Sequence, residues 1–349
     1  MIQTYLDQAL AYGQQYTKQG EVASYIPELA NADKSKIGIC ILTKNGNCYS
    51  SGVSDEYFTI QSISKILNLA IALQKHGYQE VFGKVKLEPS GDKFNAIIKL
   101  DTDSHIPFNP MINSGAIVVV DFLQPYYSFE EILAYAKKLC MDENLSLDES
   151  VYHSELATGS RNRSIAYLLH SKGLIHDNIE EVIDLYFKLC SIRVSAMSLA
   201  GFGLILANDG INPFTGEVLL EKGIAKVVKT LMLTCGLYDG SGEFAVKAGI
   251  PAKSGVGGGI LSFVNHQAGI GTFGPSLDAK GNSIAMTGAD IHDELITRQD
   301  SYLINGVYTV GTIVFDKDGC IGTITKVDPD DNDNTNDYEV NKLFYGGNF

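Results

Sequence analysis

A long helical block separates two strand-rich ends of this chain. Between residue 62 and about residue 244, segments such as FEEILAYAKKLC, IEEVIDLYFKLC and SLAGFGLILANDG carry apolar residues three and four positions apart, which is the spacing of one helix face. IGICIL and the turn signal Asn45-Gly46 predict a β-hairpin before this block, and glycine-rich, β-branched segments predict further strands after it. We therefore predict an α/β (α+β) fold in which both chain ends form a sheet lobe, a helical lobe is inserted between them, and a cleft separates the lobes.

The predicted domain boundaries follow from this pattern. We assign residues 1–300 to one main domain, with the halves of its sheet at about 1–61 and 245–300 and the helical lobe at about 62–244. Residues 301–349 form a short C-terminal extension. In it, strands at 307–315 and 320–327 are expected to make a β-hairpin around the turn Asp318-Gly319, followed by an acidic tail.

The acidic run DPDDNDNTNDYE in this tail has the ligand spacing of a calcium loop. The oxygen ligands at that spacing would be Asp328, Asp330, Asn332 and Glu339. The run has Asp333 where such a loop requires glycine, and no helix pattern flanks it. We therefore expect a solvated acidic linker there rather than a calcium site.

Charge and composition restrict the partners of the chain. Its formal net charge of −14 disfavours binding to nucleic acid or to an acidic membrane surface, so we expect a small-molecule partner. The N-terminal MIQTYLDQALAYGQQY is polar and amphipathic, and no apolar run approaches the length of a membrane span, so we expect a cytoplasmic protein. The six cysteines are scattered, and the histidines form no zinc motif, so we expect reduced thiols, no catalytic metal and no cofactor.

The stretch FTIQSISK, residues 58–65, places a serine and a lysine three positions apart where the first sheet half meets the helices. On a helix, residues at this spacing share a face, so the Ser62 hydroxyl and the Lys65 amine can point into one cavity as a nucleophile and its base. Apolar residues surround most of this helix, and a buried lysine is rare. The alternative is structural, with Ser62 capping the helix and Lys65 extending to solvent.

Two further motifs favour the catalytic interpretation. KSG at 253–255 is a variant of the Lys-Thr-Gly strand that accompanies a Ser-x-x-Lys nucleophile in penicillin-recognising enzymes, and SRN at 160–162 has the form of their Ser-x-Asn motif. The three motifs occur in the expected order, and the architecture of those enzymes is a helical lobe inserted in an antiparallel sheet. Together they predict a serine hydrolase that forms an acyl-enzyme. GIGTFG at 269–274 matches a dinucleotide fingerprint in its letters only, because no helix pattern follows it.

Many separated blocks of the sequence resemble the serine-dependent glutaminase family. They extend over residues 25–283 and include YIPELA, FTIQSISK, NPMINSGAI, SELATGSRNRSIAYLL, LANDGINPFTGE, GLYDGSGEFAVKAGIPAKSGVGGGI and LDAKGNS. The resemblance implies a serine β-lactamase-like fold, with residues 1–300 as the catalytic domain. It also implies hydrolysis of L-glutamine to L-glutamate and ammonia. A penicillin-recognising enzyme would not be expected to share these other blocks.

The resemblance implies roles for individual residues as well. Ser62 is the nucleophile and Lys65 its activating partner, Tyr238 moves protons beside them, and Tyr25 lines the entrance. The backbone amides of Ser62 and Val256 form the oxyanion hole. The further substrate contacts that the resemblance implies are Asn113, Glu155, Asn162 and Tyr186. These residue types suit a free amino acid, because a carboxylate can bind its ammonium group while neutral donors bind its carboxylate.

The sequence departs from the family pattern at Val53, where aspartate is frequent, and at Ser114, where alanine is usual. Both positions flank the motifs, so we expect them to affect efficiency more than the chemistry. Two other functions are left open by the sequence: an enzyme whose Ser62 is acylated by β-lactams, and a catalytically silent glutamine-binding protein. We expect a homodimer or a homotetramer, although the sequence does not determine which.

Overall fold

The computed structural model of the protein describes residues 2–89 and 106–287, together with three strands at 313–315, 321–329 and 336–342. Contacts divide the chain into two compact units, residues 1–287 and residues 288–349. The first unit contains all of the residues to which we assign a role in catalysis or binding. No helix in the described residues is both long enough and apolar enough to cross a membrane.

A five-stranded antiparallel sheet joins the two ends of the first unit. Its strands are β1 Gly38–Thr43, β2 Cys48–Gly52, β6 Ala252–Ser254, β7 Gly259–Val264 and β8 Ala268–Phe273, in the order β2-β1-β8-β7-β6. Strand β1 pairs with β8 in a register that sets Gly38 opposite Phe273, so the early hairpin completes a sheet with strands that follow it by more than two hundred residues. This pairing confirms the prediction that both chain ends form one sheet.

Helices pack around this sheet, and those between residues 64 and 248 form the inserted lobe. The described helices are α1 Ile2–Gln14, α2 Ser64–Lys84, α3 Asn113–Leu123, α4 Phe129–Cys140, α5 Glu149–Thr158, α6 Ser160–Ser171, α7 Ile179–Cys190, α8 Ala196–Ala207, α9 Lys222–Cys235, α10 Ser241–Ala248 and α11 Ile284–Thr287. Local signals set several of their ends, since Ser128 and Ser195 form capping boxes at the starts of α4 and α8. Helix α2 packs against α3 and α9, and it bends at Gly77, whose φ is 76°.

Helix α8 packs directly on the sheet because β8 carries glycines on that face. A Cβ atom at Gly269 would lie 1.9 Å from the carbonyl oxygen of Ala200, and one at Gly271 would lie 1.9 Å from that of Ala196. No side chain fits at these distances, so glycine permits the close approach of helix and strand. The glycines of GIGTFG therefore serve helix-on-sheet packing, in agreement with the rejection of a dinucleotide site.

Two features of this unit differ from the sequence analysis. The strands β3 Phe58–Thr59, β4 Ser146–Leu147 and β5 Ile192–Val194 form a second small sheet, in the order β3-β5-β4, and β4 and β5 lie within the region that we predicted to be helical. Strands of two or three residues are too short to produce a periodic pattern. The second half of the main sheet begins at Ala252, whereas the sequence analysis placed its start at about residue 245, because α10 extends to Ala248.

The second unit contains a three-stranded antiparallel sheet of β9 Ile313–Phe315, β10 Ile321–Pro329 and β11 Asn336–Lys342, in the order β11-β10-β9. The first two strands match the predicted hairpin, whose turn at Asp318-Gly319 lies outside the described residues. The expectation of an acidic linker after them was wrong, because β11 pairs with β10.

The calcium-loop alternative was wrong as well. Asp328 lies in β10 opposite Asp337, and Glu339 lies in β11 opposite Lys326. Both ends of the proposed twelve-residue loop are therefore extended, paired strands, and a calcium loop must wrap around its ion instead. The other two proposed ligands, Asp330 and Asn332, lie outside the described residues.

Candidate active site

Ser62 lies in a short 3₁₀ turn, Gln61–Ile63, that leads from β3 into α2. The helix begins at Ser64, two residues later than the sequence analysis proposed, and Gln61 adopts a left-handed φ of 48°. Such a backbone is strained for a residue with a side chain. Glycines after β6 approach this turn closely, since a Cβ at Gly255 would lie 2.7 Å from the carbonyl oxygen of Ile60. The glycine-rich segment after KSG therefore passes directly beside the serine.

Lys65 is buried in the first turn of α2, with an exposed fraction of 1%. Its Nζ donates a hydrogen bond of 2.8 Å to Oδ1 of Asn113 and one of 3.1 Å to the carbonyl oxygen of Met111. Burial lowers the pKa of Lys65 to about 8, although the charges of Cys190 and Glu155 act in the opposite direction. The alternative in which this lysine extends to solvent is therefore wrong.

Tyr238 connects the serine to a second buried lysine. Burial raises the pKa of Tyr238 to about 12, while hydrogen bonding to Ser62 and Ser254 acts in the opposite direction. Lys253, at 0% exposure, has its Nζ 4.3 Å from the centre of the Tyr238 ring and donates to the carbonyl oxygen of Ser254. Burial, followed by the charge of Lys65, holds the pKa of Lys253 well below its usual value. A serine, a tyrosine and two lysines whose pKa values are lowered by burial thus occupy one region.

The Ser254 hydroxyl fixes this region to the end of the main sheet. Its Oγ donates a 2.6 Å hydrogen bond to Oδ1 of Asn282, and Nδ2 of Asn282 donates to the carbonyl oxygen of Leu237. Leu237 directly precedes Tyr238, whose φ of 56° is left-handed. These bonds hold the backbone that carries the tyrosine in an unusual conformation.

A buried carboxylate lies on the other side of the serine turn. Glu155, on α5, is 4% exposed, and its Oε1 accepts a 2.9 Å hydrogen bond from Nε2 of Gln61. Burial raises the pKa of Glu155 to about 7, while the Gln61 hydrogen bond and the charge of Lys65 act in the opposite direction. A cationic ligand beside Glu155 would therefore strongly stabilise the ionised form of this buried carboxyl group.

Neutral donors complete the site. Nδ2 of Asn113, at the start of α3, donates a 2.9 Å hydrogen bond to Oδ1 of Asn162 on α6, which links Lys65 to a chain of two amides. Tyr186 is 3% exposed on α7, and burial raises its pKa, followed by the charges of Cys190 and Glu155.

Tyr25 lies at the boundary between the site and solvent. The residue is 55% exposed. The pKa of its hydroxyl is nevertheless raised well above the usual value, first by desolvation and then by the charges of Tyr238 and Glu155. Val256 is 5% exposed, in the glycine-rich segment beside the serine turn. The position of Tyr25 suits a residue that lines the entrance of the site. The position of Val256 suits a residue whose backbone amide faces the reacting group.

The structure adds three residues for which the sequence analysis gave no role. Gln61 orients Glu155, Lys253 lies against the Tyr238 ring, and Cys190 lies 3.9 Å from the hydroxyl of Ser64. Gln61 and Lys253 were present in the motifs QSISK and KSG, but the letters carry no information on which side chains they meet. In the described part of the chain, no three His, Cys, Asp or Glu side chains converge on a possible metal position.

Comparison with known proteins agrees with this geometry. The family model "Glutaminase" matches residues 20–301 of the chain. "Glutaminase 2" of Clostridium perfringens (strain 13 / Type A) is 48% identical over 300 residues, covering 84% of this chain and 98% of the relative. The covalent complex between the Bacillus subtilis glutaminase YbgJ and 5-oxo-L-norleucine has a TM-score of 0.75 at 34% identity, covering 86% of this chain and 99% of that chain. Mglu in its tris and glutamate form has a TM-score of 0.78 at 36% identity, covering 91% of this chain and 71% of that chain. These likenesses confirm the predicted serine β-lactamase-like fold.

Proposed function

The chain belongs to the glutaminase family and hydrolyses L-glutamine to L-glutamate and ammonia, and we propose that it does so through an acyl-enzyme on Ser62. The observation that carries this proposal is the hydrogen bond between Ser62 and Tyr238, in a region that also holds Lys65 and Lys253, whose pKa values are lowered by burial. The sequence also left open a penicillin-recognising enzyme and a silent binding protein. Relatives that are 48% identical to this chain are named glutaminases, which favours neither alternative.

The first step is attack by the Ser62 hydroxyl on the side-chain amide carbon of glutamine. The serine proton passes to Lys65, directly or through Tyr238. With a pKa of about 8, Lys65 is neutral in roughly a tenth of the molecules at neutral pH, far more than a free lysine with a pKa of about 10.4. Its hydrogen bonds to Asn113 and Met111 fix the direction of the Nζ lone pair.

The tetrahedral intermediate then collapses to a glutamyl-enzyme and ammonia. The backbone amides of Ser62 and Val256 would hold the oxyanion, each contributing a few kcal/mol, roughly 2 to 4, to transition-state stabilisation. The leaving nitrogen takes back the proton from the lysine or from Tyr238, and water releases glutamate by the reverse sequence. The covalent complex that 6-diazo-5-oxo-L-norleucine forms with the related B. subtilis glutaminase supports a covalent route in this family.

Substrate recognition rests on the charged and neutral groups around the serine turn. Glu155 would bind the α-ammonium group, whose charge would offset the burial that raises the pKa of this carboxyl group to about 7. Asn113, Asn162 and Tyr186 would donate to the α-carboxylate, with Tyr25 closing the entrance side. Glutamate-bound Mglu supports the assignment of L-glutamine and L-glutamate as ligands.

Replacement of Ser62 by alanine tests the proposal. Ser62→Ala should abolish ammonia release from glutamine and leave the fold intact, because it removes one hydroxyl and little packing volume. Ser50→Ala, at an exposed position on β2, is the matched control and should retain full activity. The covalent route is excluded if the purified Ser62→Ala protein releases ammonia at a rate near that of the unchanged protein.

Two finer properties belong to the same proposal. We expect a homodimer or a homotetramer, which sedimentation of the full chain would distinguish. We also expect a cytoplasmic enzyme, and the described cysteines, all of them free thiols, agree with a reducing compartment.

A further inference from the structure

Two cysteines outside the active site lie in contact at the edge of the main sheet. The Sγ atoms of Cys40 on β1 and Cys48 on β2 are 3.5 Å apart. In the register of these strands Cys40 lies opposite Ser50 and Cys48 lies opposite Leu42, so the two thiols are diagonal neighbours on one face of the hairpin. Of the cysteines in the described residues, these are the two whose sulfur atoms are in contact with each other.

The two thiols differ sharply in access. Cys40 is 1% exposed and lies opposite Gly271, on the face that α8 covers. Cys48 is exposed, on the outermost strand of the sheet. A reagent in solution therefore reaches Cys48 first and reaches Cys40 only through it.

We propose that Cys40 and Cys48 form a thiol–disulfide exchange site that takes a low-molecular-weight disulfide such as oxidised glutathione. The Cys48 thiolate attacks one sulfur of the small disulfide, which releases the other as a thiolate and leaves a mixed disulfide on Cys48. The Cys40 thiol then loses its proton and attacks the Cys48 sulfur, which releases the second small thiolate. In total, two protein thiols are oxidised to one disulfide, and one small disulfide is reduced to two thiols.

The local geometry suits this order of events. Closing the bond requires the sulfur atoms to approach from 3.5 Å to about 2.05 Å, so the outermost strand must shift toward β1 as the Cys48 side chain rotates. Burial, followed by the charge of Cys48, raises the pKa of Cys40, so Cys48 is the better first nucleophile and Cys40 the resolving thiol.

The bond would tie the edge strand β2 to β1 without touching the active site. Two strands, β8 and β7, lie between the hairpin and β6, which carries Lys253, and the side-chain contact of the two cysteines joins them to each other. Oxidation should therefore slow hydrogen exchange of the β2 amides while glutaminase activity is retained.

Intact-mass measurement of the native full chain after exposure to oxidised glutathione tests the proposal. The unchanged protein should lose the mass of two hydrogens, retain no glutathione, and yield a peptide that joins Cys40 to Cys48. Cys40→Ser should instead keep one glutathione on Cys48, because the resolving thiol is missing, whereas Cys48→Ser should show neither product. Both variants should keep glutaminase activity, which establishes that they are folded.

The proposal is overturned by any of three results. One is a stable glutathione adduct on Cys48 of the unchanged protein. Another is the absence of any reaction at these two cysteines. The third is a Cys40–Cys48 link that forms only after the protein has been unfolded with denaturant.

Discussion

Nζ of Lys253 lies 4.3 Å from the centre of the Tyr238 ring, and this lysine is fully buried. Burial disfavours the charged form of each group, because it holds the pKa of Lys253 well below its usual value and raises that of Tyr238 to about 12. The amine can therefore stabilise negative charge on the tyrosine while a proton moves between Ser62 and Lys65, at a small cost in the resting enzyme.

This contact leads to the first prediction. Lys253→Met keeps the apolar stem and removes the amine, so kcat should fall by at least about tenfold, which corresponds to about 1.4 kcal/mol, while KM changes much less. Steady-state ammonia release measures both constants. Lys247→Met, which removes a lysine paired with Glu243 on the surface of α10, is the control and should leave both unchanged. Equal losses in kcat for the two variants would contradict a specific role for Lys253.

The second prediction concerns pH. Lys65 must be neutral to accept a proton, and its pKa of about 8 means that kcat rises from acid toward mildly alkaline pH and levels off above about 8. Glu155 must be ionised to bind an ammonium group, so with a pKa of about 7 KM should rise as the pH falls below about 7. Both groups therefore reduce activity in acid, one through kcat and the other through KM. A kcat that is flat from acid to alkaline pH, with the chemical step rate-limiting, would argue against lysine as the base.

The third prediction separates these two groups. Glu155→Gln removes the counter-charge of the substrate ammonium, so binding should weaken by about 2–4 kcal/mol, measured as an increase in KM or in the Kd of glutamate. The variant should also lose the rise of KM below neutral pH, while kcat should still rise with pH but at a lower pH, because the charge of Glu155 no longer raises the pKa of Lys65. Glu149→Gln, at an exposed position on the same helix, should bind like the unchanged protein. Unaltered affinity in Glu155→Gln would show that the carboxylate has another role.

The fourth prediction tests the packing of α8 on the sheet. Gly271→Ala places a Cβ 1.9 Å from the carbonyl oxygen of Ala196, so the helix must move, and the free energy of unfolding should fall by on the order of 3 kcal/mol. A Cβ at Gly83, within α2, would have no atom within 4 Å, so Gly83→Ala should raise the free energy of unfolding by about 0.5–1 kcal/mol. Denaturant unfolding monitored by circular dichroism gives both values. A neutral Gly271→Ala variant would show that the helix and strand are less tightly packed.

The fifth prediction concerns the C-terminal unit. All residues to which we assign a role in catalysis or binding lie at or before Val256, and the family match ends at residue 301. A chain ending at Asn305 should therefore retain glutaminase activity, measured as ammonia release, unless the missing segment covers apolar surface or a subunit interface. A soluble, folded and inactive truncated protein would show that the extension completes the site.

Several features of the fold were determined by local sequence. The hairpin around Asn45-Gly46, the amphipathic helices and the strands that follow them each depend on turn chemistry and on the periodicity of apolar residues. The serine and lysine of QSISK could be selected because their spacing places both on one helical surface. The small sheet of β3, β4 and β5 escaped prediction because its strands are distant in the chain and two or three residues are too few to show an alternating pattern.

The electrostatic properties of the site were decided by the tertiary structure alone. A lysine has a pKa of about 8 at position 65, and a glutamate one of about 7 at position 155, only because folding removes both from water. The contact of Lys253 with Tyr238 likewise joins side chains whose proximity no local pattern encodes. The sequence by itself thus determined which reactive groups are present and the elements that carry them. Their protonation and their partners depend on burial and distance, which exist only once the helical lobe has packed against the sheet.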